Sequence, residues 1–248
     1  MRATAVAALF VLLSPFAVAQ NGANWSYEGH TGPLVWSKLD PSYAACNHGH
    51  EQSPIDIRGA RLNKSLQPIQ FHYIAGPVTI ENTGSGIVVH VDKGSYIVAG
   101  GVRYELEEYE FHHPSEHLVR GKLTDMEVDL VHKSADGKLA ILGVRLNEDR
   151  GTPNATMATL WDHLPARPGT STKVTDMINA GGLIPADPGY WTYTGSELTP
   201  PCTEGVQWFV YEQPLDVSRQ QMRQFTALYK MNTRPPQDMH GRKIEANE

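Results

Sequence analysis

Val128-Asp129-Leu130-Val131-His132-Lys133-Ser134-Ala135-Asp136-Gly137-Lys138-Leu139-Ala140-Ile141-Leu142-Gly143-Val144-Arg145-Leu146 reads as two β-strands joined by a tight turn. Val128 to His132 and Leu139 to Leu146 are rich in branched apolar residues, and Ala135-Asp136-Gly137 between them has the residues that turns favour. Working outward, Val102 to Phe111, Ile87 to Val91 and Tyr96 to Val98 upstream have the same character, as do Tyr190 to Tyr193 and Val206 to Tyr211 downstream. Asp92-Lys93-Gly94-Ser95, between two of these stretches, reads as a hairpin turn. The spacing predicts an antiparallel sheet. Helices are few: Pro153 to Leu164 is one candidate and Ser218 to Lys230 a better one. In the latter Ser218 can cap, Gln221 completes a capping box, and Met222, Phe225 and Tyr229 share a face. The fold class is therefore mainly β (α+β), a sheet with peripheral helices.

The chain has 248 residues, 40% of them hydrophobic, enough for a substantial core. The formal net charge is -6, and no run of Lys or Arg occurs, so the electrostatic footprint of a nucleic-acid or anionic-membrane binder is missing. Met1-Arg2, a mostly apolar run to Val18 and the small residues Ala17-Val18-Ala19 describe a cleavable secretory signal, residues 1–19. No repeat or charged linker divides residues 20–248, which are expected to form one domain, periplasmic or secreted, with no membrane span. Export permits disulfides, and two Cys allow a single intramolecular pairing, Cys46 with Cys202, against the alternative of two unrelated buried thiols.

Several segments, taken together, resemble the α-class carbonic anhydrases, particularly the exported bacterial type. They are Trp25-Ser26-Tyr27-Glu28-Gly29, Gln52-Ser53-Pro54-Ile55-Asp56, Pro114-Ser115-Glu116-His117 and Leu130-Val131-His132-Lys133, followed by Gly195-Ser196, Thr199-Pro200-Pro201-Cys202, Glu204-Gly205-Val206 with Trp208, and Asn232 with Arg234-Pro235 and Gly241-Arg242. They run in family order over nearly the whole chain beyond the signal. The resemblance implies a large twisted, mostly antiparallel sheet with an active-site cone, and a disulfide between the two cysteines.

It also implies a zinc ion held by three neutral imidazoles, two from a His-x-His pair on one strand and the third from its neighbour, with a zinc-bound hydroxide that attacks carbon dioxide. Here the pair reads Glu110-Phe111-His112 and the third position reads Asp129. Using His113 or His132 instead would require a one-residue slip, which strand parity opposes. The departures continue. The proton-shuttle His falls on Ser85, the Gln before the ligand pair is Glu108, an apolar pocket residue becomes Glu197, and the gatekeeper Thr becomes Leu198, beside the pocket residue Thr199. Leu198 cannot relay the hydrogen bond that the resemblance would route to Glu116. Glu127, which in the family orients a ligand His, faces Asp129 on its own strand and lacks that partner. Retained pocket positions are Val131, Ile141, Val206 and Trp208, for which ordinary core packing is an equal reading. His90 shares parity with the cone wall; it reads as a rim histidine, with a ligand or proton carrier as the other reading.

Glu108, Glu110, Asp129 and Glu197 converging in one cone cannot all stay ionised unpaired. Three outcomes follow. The cone binds a divalent metal through Glu110, His112 and Asp129, or an amine-bearing molecule, with manganese, iron or calcium suiting the donors better than zinc. Otherwise the chain is a non-catalytic binding or adhesion module, or an active carbonic anhydrase on altered ligands. Acid–base chemistry by Glu108, Glu110 and Asp129 is a further possibility, with no substrate indicated.

Overall fold

The computed structural model describes residues 24–149 and 153–248, so the expected signal segment lies outside the described residues. Ten strands carry the architecture: β1 (Gly76–Asn82), β2 (Ile87–Val91), β3 (Tyr96–Ala99), β4 (Val102–His112), β5 (Met126–Ser134), β6 (Leu139–Asp149), β7 (Thr170–Ile178), β8 (Tyr190–Ser196), β9 (Glu204–Tyr211) and β10 (Leu215–Ser218). With shorter strands they make a 13-stranded sheet among the described residues, in which the order β7-β1-β2-β4-β5-β6-β9-β8 continues into Glu245–Ala246 and Arg61–Leu62. Most pairings are antiparallel as expected, but β6 runs parallel to both β9 and β10, so the sheet is mixed. A parallel neighbour cannot be reached by a hairpin. The chain accordingly passes through β7 and β8, elsewhere in the sheet, before β9 pairs with β6.

The turn at Ala135 to Gly137 forms as read, with Gly137 at φ 85° and its N–H donating to Ser134 O. The hairpin expected at Asp92 to Ser95 does not. β2 and β3 do not pair with each other; both lie along β4, β2 on its C-terminal half (His90 opposite Glu108) and β3 on its N-terminal half (Tyr96 opposite Glu105). The two-residue turn instead joins β3 to β4 at Gly100-Gly101, with φ 56° and 78°. A turn matching the twist of paired strands needs two successive positive φ angles, and of the four residues from Asp92 to Ser95 only Gly94 has one.

Alternation along β4 is broken once. A register shift between Leu106 and Glu108 leaves Glu107 as an extra, exposed residue, so Leu106 and Tyr109, three apart, enter the same core. Beyond it Tyr109 and Phe111 face that core while Glu108, Glu110 and His112 take the opposite face. On β5, Met126, Val128 and Leu130 are core residues and Glu127, Asp129 and Val131 face the other way. Phe111 meets the ring of Trp161 at 4.6 Å, and Phe225 packs with both, which seats two helices on this side. One, Ala155–Trp161, is capped by Asn154; the other, Arg219–Thr226, has the expected Ser218–Gln221 capping box. The second helix stops at Thr226, so Tyr229 reaches the core from the segment after it. Cys46 and Cys202 are bonded, joining the N-terminal aromatic cluster of Tyr27, Trp36 and Tyr43 to the loop before β9.

Candidate functional site

The antiparallel register of β4 and β5 sets Glu110 opposite Asp129 and His112 opposite Glu127, so Glu110, His112 and Asp129 meet on the face away from the main core. Nε2 of His112 lies 3.5 Å from Asp129 Oδ2 and 3.7 Å from Glu110 Oε2. Its Nδ1 lies 3.0 Å from the carbonyl oxygen of Asn232 and 3.2 Å from Glu116 Oε1. A carbonyl only accepts, so Nδ1 carries hydrogen and Nε2 is the nitrogen presented to the carboxylates. Nε2 and both carboxylate oxygens of Asp129 are buried without any hydrogen-bond partner. Buried polar atoms are rarely left so, and three in one place mark a site built for something else.

The strand slip that parity opposed does not occur. His132 faces the opposite side, where its Nδ1–H donates to Leu130 O (2.9 Å) and its Nε2 accepts from the Tyr73 hydroxyl (2.7 Å). The ring of His113 turns to Lys230 O.

Electrostatics at the floor are those of a charge excess. Burial pushes the Glu110 carboxyl up, with Glu108, Glu116 and Glu197 adding to it and His112 opposing. Asp129 is pushed well above the carboxylate range by burial and then by Glu127. Burial pulls His112 down, but the hydrogen bond and charge of Glu116, with Asp129 and Glu110, outweigh it and raise the ring to about 10. On its own, then, the floor keeps protons: the imidazolium is its resident positive charge.

Behind the floor stand two carboxylates that line no part of the cone. Glu116 is buried; burial raises it, while His112 and the Arg234 backbone N–H, 3.0 Å away, hold it down. The ligand His that Glu127 would orient is absent, as expected, but Glu127 is not alone: its partner is His117. The His117 backbone N–H (2.9 Å) and Nδ1 (2.6 Å) both contact Glu127, and His117 Nε2 lies 2.7 Å from the Tyr193 hydroxyl. Burial alone would raise Glu127; these contacts with His117 reverse it and hold the carboxyl low. Gly143 sits opposite Asp129 on β6, and a Cβ there would fall 2.8 Å from Glu127 Oε1 and 3.3 Å from Asp129 Oδ1.

Two cavities open on the floor and share Glu110 and Thr199. The smaller, about 60 Å³, has Glu108, Glu110, Asp129 and Glu197 on one side and Val131, Ile141, Leu198 and Trp208 among its apolar residues. The larger, about 190 Å³, brings in Ser85, Trp25 and Tyr27 beside His112. Of the expected pocket residues, His90 and Val206 line neither cavity; Val206 is buried in the apolar cluster with Leu198 and Trp208. Leu198 belongs to the same cluster, and Ser85 bonds its hydroxyl to Thr83. His90 stands at the rim with Nε2 3.0 Å from Glu81 and Nδ1 3.0 Å from Glu108. Sequence reasoning assigned no role to His117, Gly143 or the Asn232 carbonyl. Of these, only Gly143, a glycine inside a branched apolar strand, carries a signal that could have found it.

A three-imidazole zinc site does not fit this floor, which offers one imidazole. Among the described residues no group of three or more His, Cys, Asp or Glu stands arranged to hold a metal ion. His112 and Asp129 are fixed by burial, whereas the Glu110 side chain is 28% exposed and has room to turn. Nor, among the described residues, is any helix long and apolar enough to cross a membrane.

Comparison with known proteins adds four findings. The family described as eukaryotic-type carbonic anhydrase matches residues 31–248. A carbonic anhydrase of Nostoc sp. is 37% identical over 226 residues, covering 89% of this chain and 85% of that protein. Among solved structures, a hyperthermostable carbonic anhydrase identified from a hydrothermal vent chimney superimposes with a TM-score of 0.86 at 38% identity, over 91% of this chain and all of that one. Dioscorin complexed with ascorbate superimposes with a TM-score of 0.84 at 28% identity, over 90% of this chain and 97% of that one.

Proposed function

Since the chain belongs to the eukaryotic-type carbonic anhydrase family, we propose that it uses the family scaffold to bind a divalent cation in an acidic cone, in place of fast zinc-dependent hydration of carbon dioxide. The observation that carries this reading is the set of buried, unpartnered atoms at the floor, His112 Nε2 and both oxygens of Asp129. The 3.5 Å between Nε2 and Oδ2 is about the separation of two ligand atoms at right angles around a shared ion roughly 2.4–2.5 Å from each. Glu110 turns inward as the third ligand, and the ion takes the place of the Nε2 proton. One imidazole with two carboxylates favours manganese, iron or calcium over zinc. Carboxylate ligands also leave a bound ion a weaker Lewis acid than three imidazoles do, and neither Ser85 nor Leu198 supplies the proton relay or the hydroxyl that hydration needs.

The experiment is to purify the protein without chelator, measure its metal content by mass spectrometry, and follow melting with manganese, iron, calcium, zinc and simple amines. Bound metal or a divalent-ion stabilisation of several degrees, with slow hydration in stopped flow, supports the reading. No metal and no stabilisation by any divalent ion overturns it, and stabilisation by amines alone assigns the cone to an organic cation. Fast, sulfonamide-sensitive hydration would restore ordinary carbonic anhydrase activity. The non-catalytic alternative draws on dioscorin, but ascorbate is an acidic molecule and this cone gathers four carboxyl groups, Glu108, Glu110, Asp129 and Glu197. We also read residues 1–19 as a removed export signal and residues 20–248 as one domain; the Cys46–Cys202 bond supports an oxidising compartment.

A further inference from the structure

Three cavities run end to end from the surface to the floor. An open groove of about 610 Å³, with Glu28 on its wall, shares Trp25, Tyr27 and Ser85 with the cavity of about 190 Å³, which in turn shares Glu110 and Thr199 with the one of about 60 Å³. The passage changes chemistry along its length. At its inner end Asp129 is 2% exposed with neither oxygen partnered, and Glu110 has its ion-pair partner, His112 Nε2, only at 3.7 Å. Its middle is walled by the rings of Trp25 and Tyr27, which pack edge to face at 5.4 Å, and by Val88, which β2 sets directly opposite Glu110. At the outer end Glu28 stands exposed on the groove wall.

Carboxylates, an apolar stretch and a further carboxylate are the complement of a hydrocarbon chain with an ammonium at each end. We infer that the passage binds a linear aliphatic diamine: one ammonium donates to Asp129 and Glu110, the methylenes lie against Trp25 and Tyr27, and the second ammonium pairs with Glu28. A buried acceptor without a partner is costly, and a charge-assisted hydrogen bond to it is among the stronger polar contacts. Aromatic faces add attraction for a cation within about 6 Å of the ring centre. A neutral polyol would leave the inner carboxylates unmatched, and a bare ion would make no use of Trp25, Tyr27 or Glu28. The inference goes beyond the divalent-ion reading and stands without it, since it needs acceptors for N–H groups and no coordination geometry.

The test is titration calorimetry of the metal-stripped protein with α,ω-diaminoalkanes of four to eight carbons, each beside the monoamine and the diol of the same chain. The best diamine should bind about twofold to fivefold more tightly than its monoamine, the range of an exposed ion pair, and the diol should not bind. Asp129→Asn, and independently Glu110→Gln, should weaken both amines at least about tenfold. Glu28→Gln, a change on the exposed groove wall, should bring the diamine to the level of the monoamine and leave the monoamine as it was. Binding of neither amine by wild type overturns the inference, as does amine binding that both Asp129→Asn and Glu110→Gln leave intact, or a diamine preference that survives Glu28→Gln. A divalent ion bound where no amine binds leaves the metal reading standing and sinks this one; amines bound where no divalent ion binds do the reverse.

Discussion

Replacing His132 with Gln tests the register on which the whole site depends. The ring lies on β5, three residues beyond Asp129 and on the opposite face, fully buried between Leu130 O and the Tyr73 hydroxyl. Burial pulls it from the ordinary 6.5 down to about 3. Between those values the unfolded chain binds a proton that the folded chain does not, so stability falls as pH falls. The loss from this one ring is about 2 kcal/mol at pH 5 and approaches about 5 kcal/mol near pH 3. For a chain of this size about 2 kcal/mol corresponds to roughly 4–8 °C in Tm. Urea and thermal melts of wild type and His132→Gln from pH 8 to pH 4 isolate the term as the gap between the two stability curves. The variant starts less stable, having lost a fitted pair of hydrogen bonds, and the gap should narrow by about 2 kcal/mol between pH 8 and pH 5. A gap that stays constant would mean a ring titrating as freely as in the unfolded chain. His132 would then face the open cone, β5 would be shifted by one residue, and Asp129 would not be at the floor.

Three further outcomes are expected. Glu110→His/Asp129→His/Leu198→Thr should restore three imidazoles and a gatekeeper hydroxyl; zinc retained through gel filtration, with zinc-dependent melting, is the readout, and no zinc would contradict the placement of the ligand positions. Cys46→Ser/Cys202→Ser removes a link between residues 156 apart and should lower stability in urea by about 4 to 5 kcal/mol on the chain-entropy model. His117→Leu leaves Glu127 buried and unpaired and should cost about 3 to 5 kcal/mol by thermal melting, with Glu127→Gln in the same background recovering part of it.

The strands were legible because β4, β5 and β6 carry long branched or aromatic runs ended by turn residues; the resemblance named Glu110, His112 and Asp129, and strand parity kept them in register. Where reading failed, two local signals competed or the partner was distant. Asp92 to Ser95 has turn composition yet only one positive-φ residue, while Gly100-Gly101, which supplies two, closes the hairpin and was passed over. The bulge at Glu107 was invisible because an exposed Glu fits either register until the pairing of β4 with β5 is known. Glu127 was left without a partner because its own strand offers none; His117 reaches it from a loop ten residues earlier. Val206 was assigned to the cavity because the resemblance makes it a pocket position; it packs instead into the apolar cluster with Trp208, and which members of a packed cluster touch open space is a matter of depth, which sequence does not encode.

The hydrogen bond that orients His112 comes from a main-chain carbonyl, that of Asn232, 120 positions along the chain. Every amino acid at position 232 would present that oxygen, so no point mutation there deletes it outright. The one imidazole at the floor is thus sheltered from mutation on its far side while its neighbours are free to vary. Residues 110 and 129 can therefore be exchanged without removing the main-chain acceptor that orients His112.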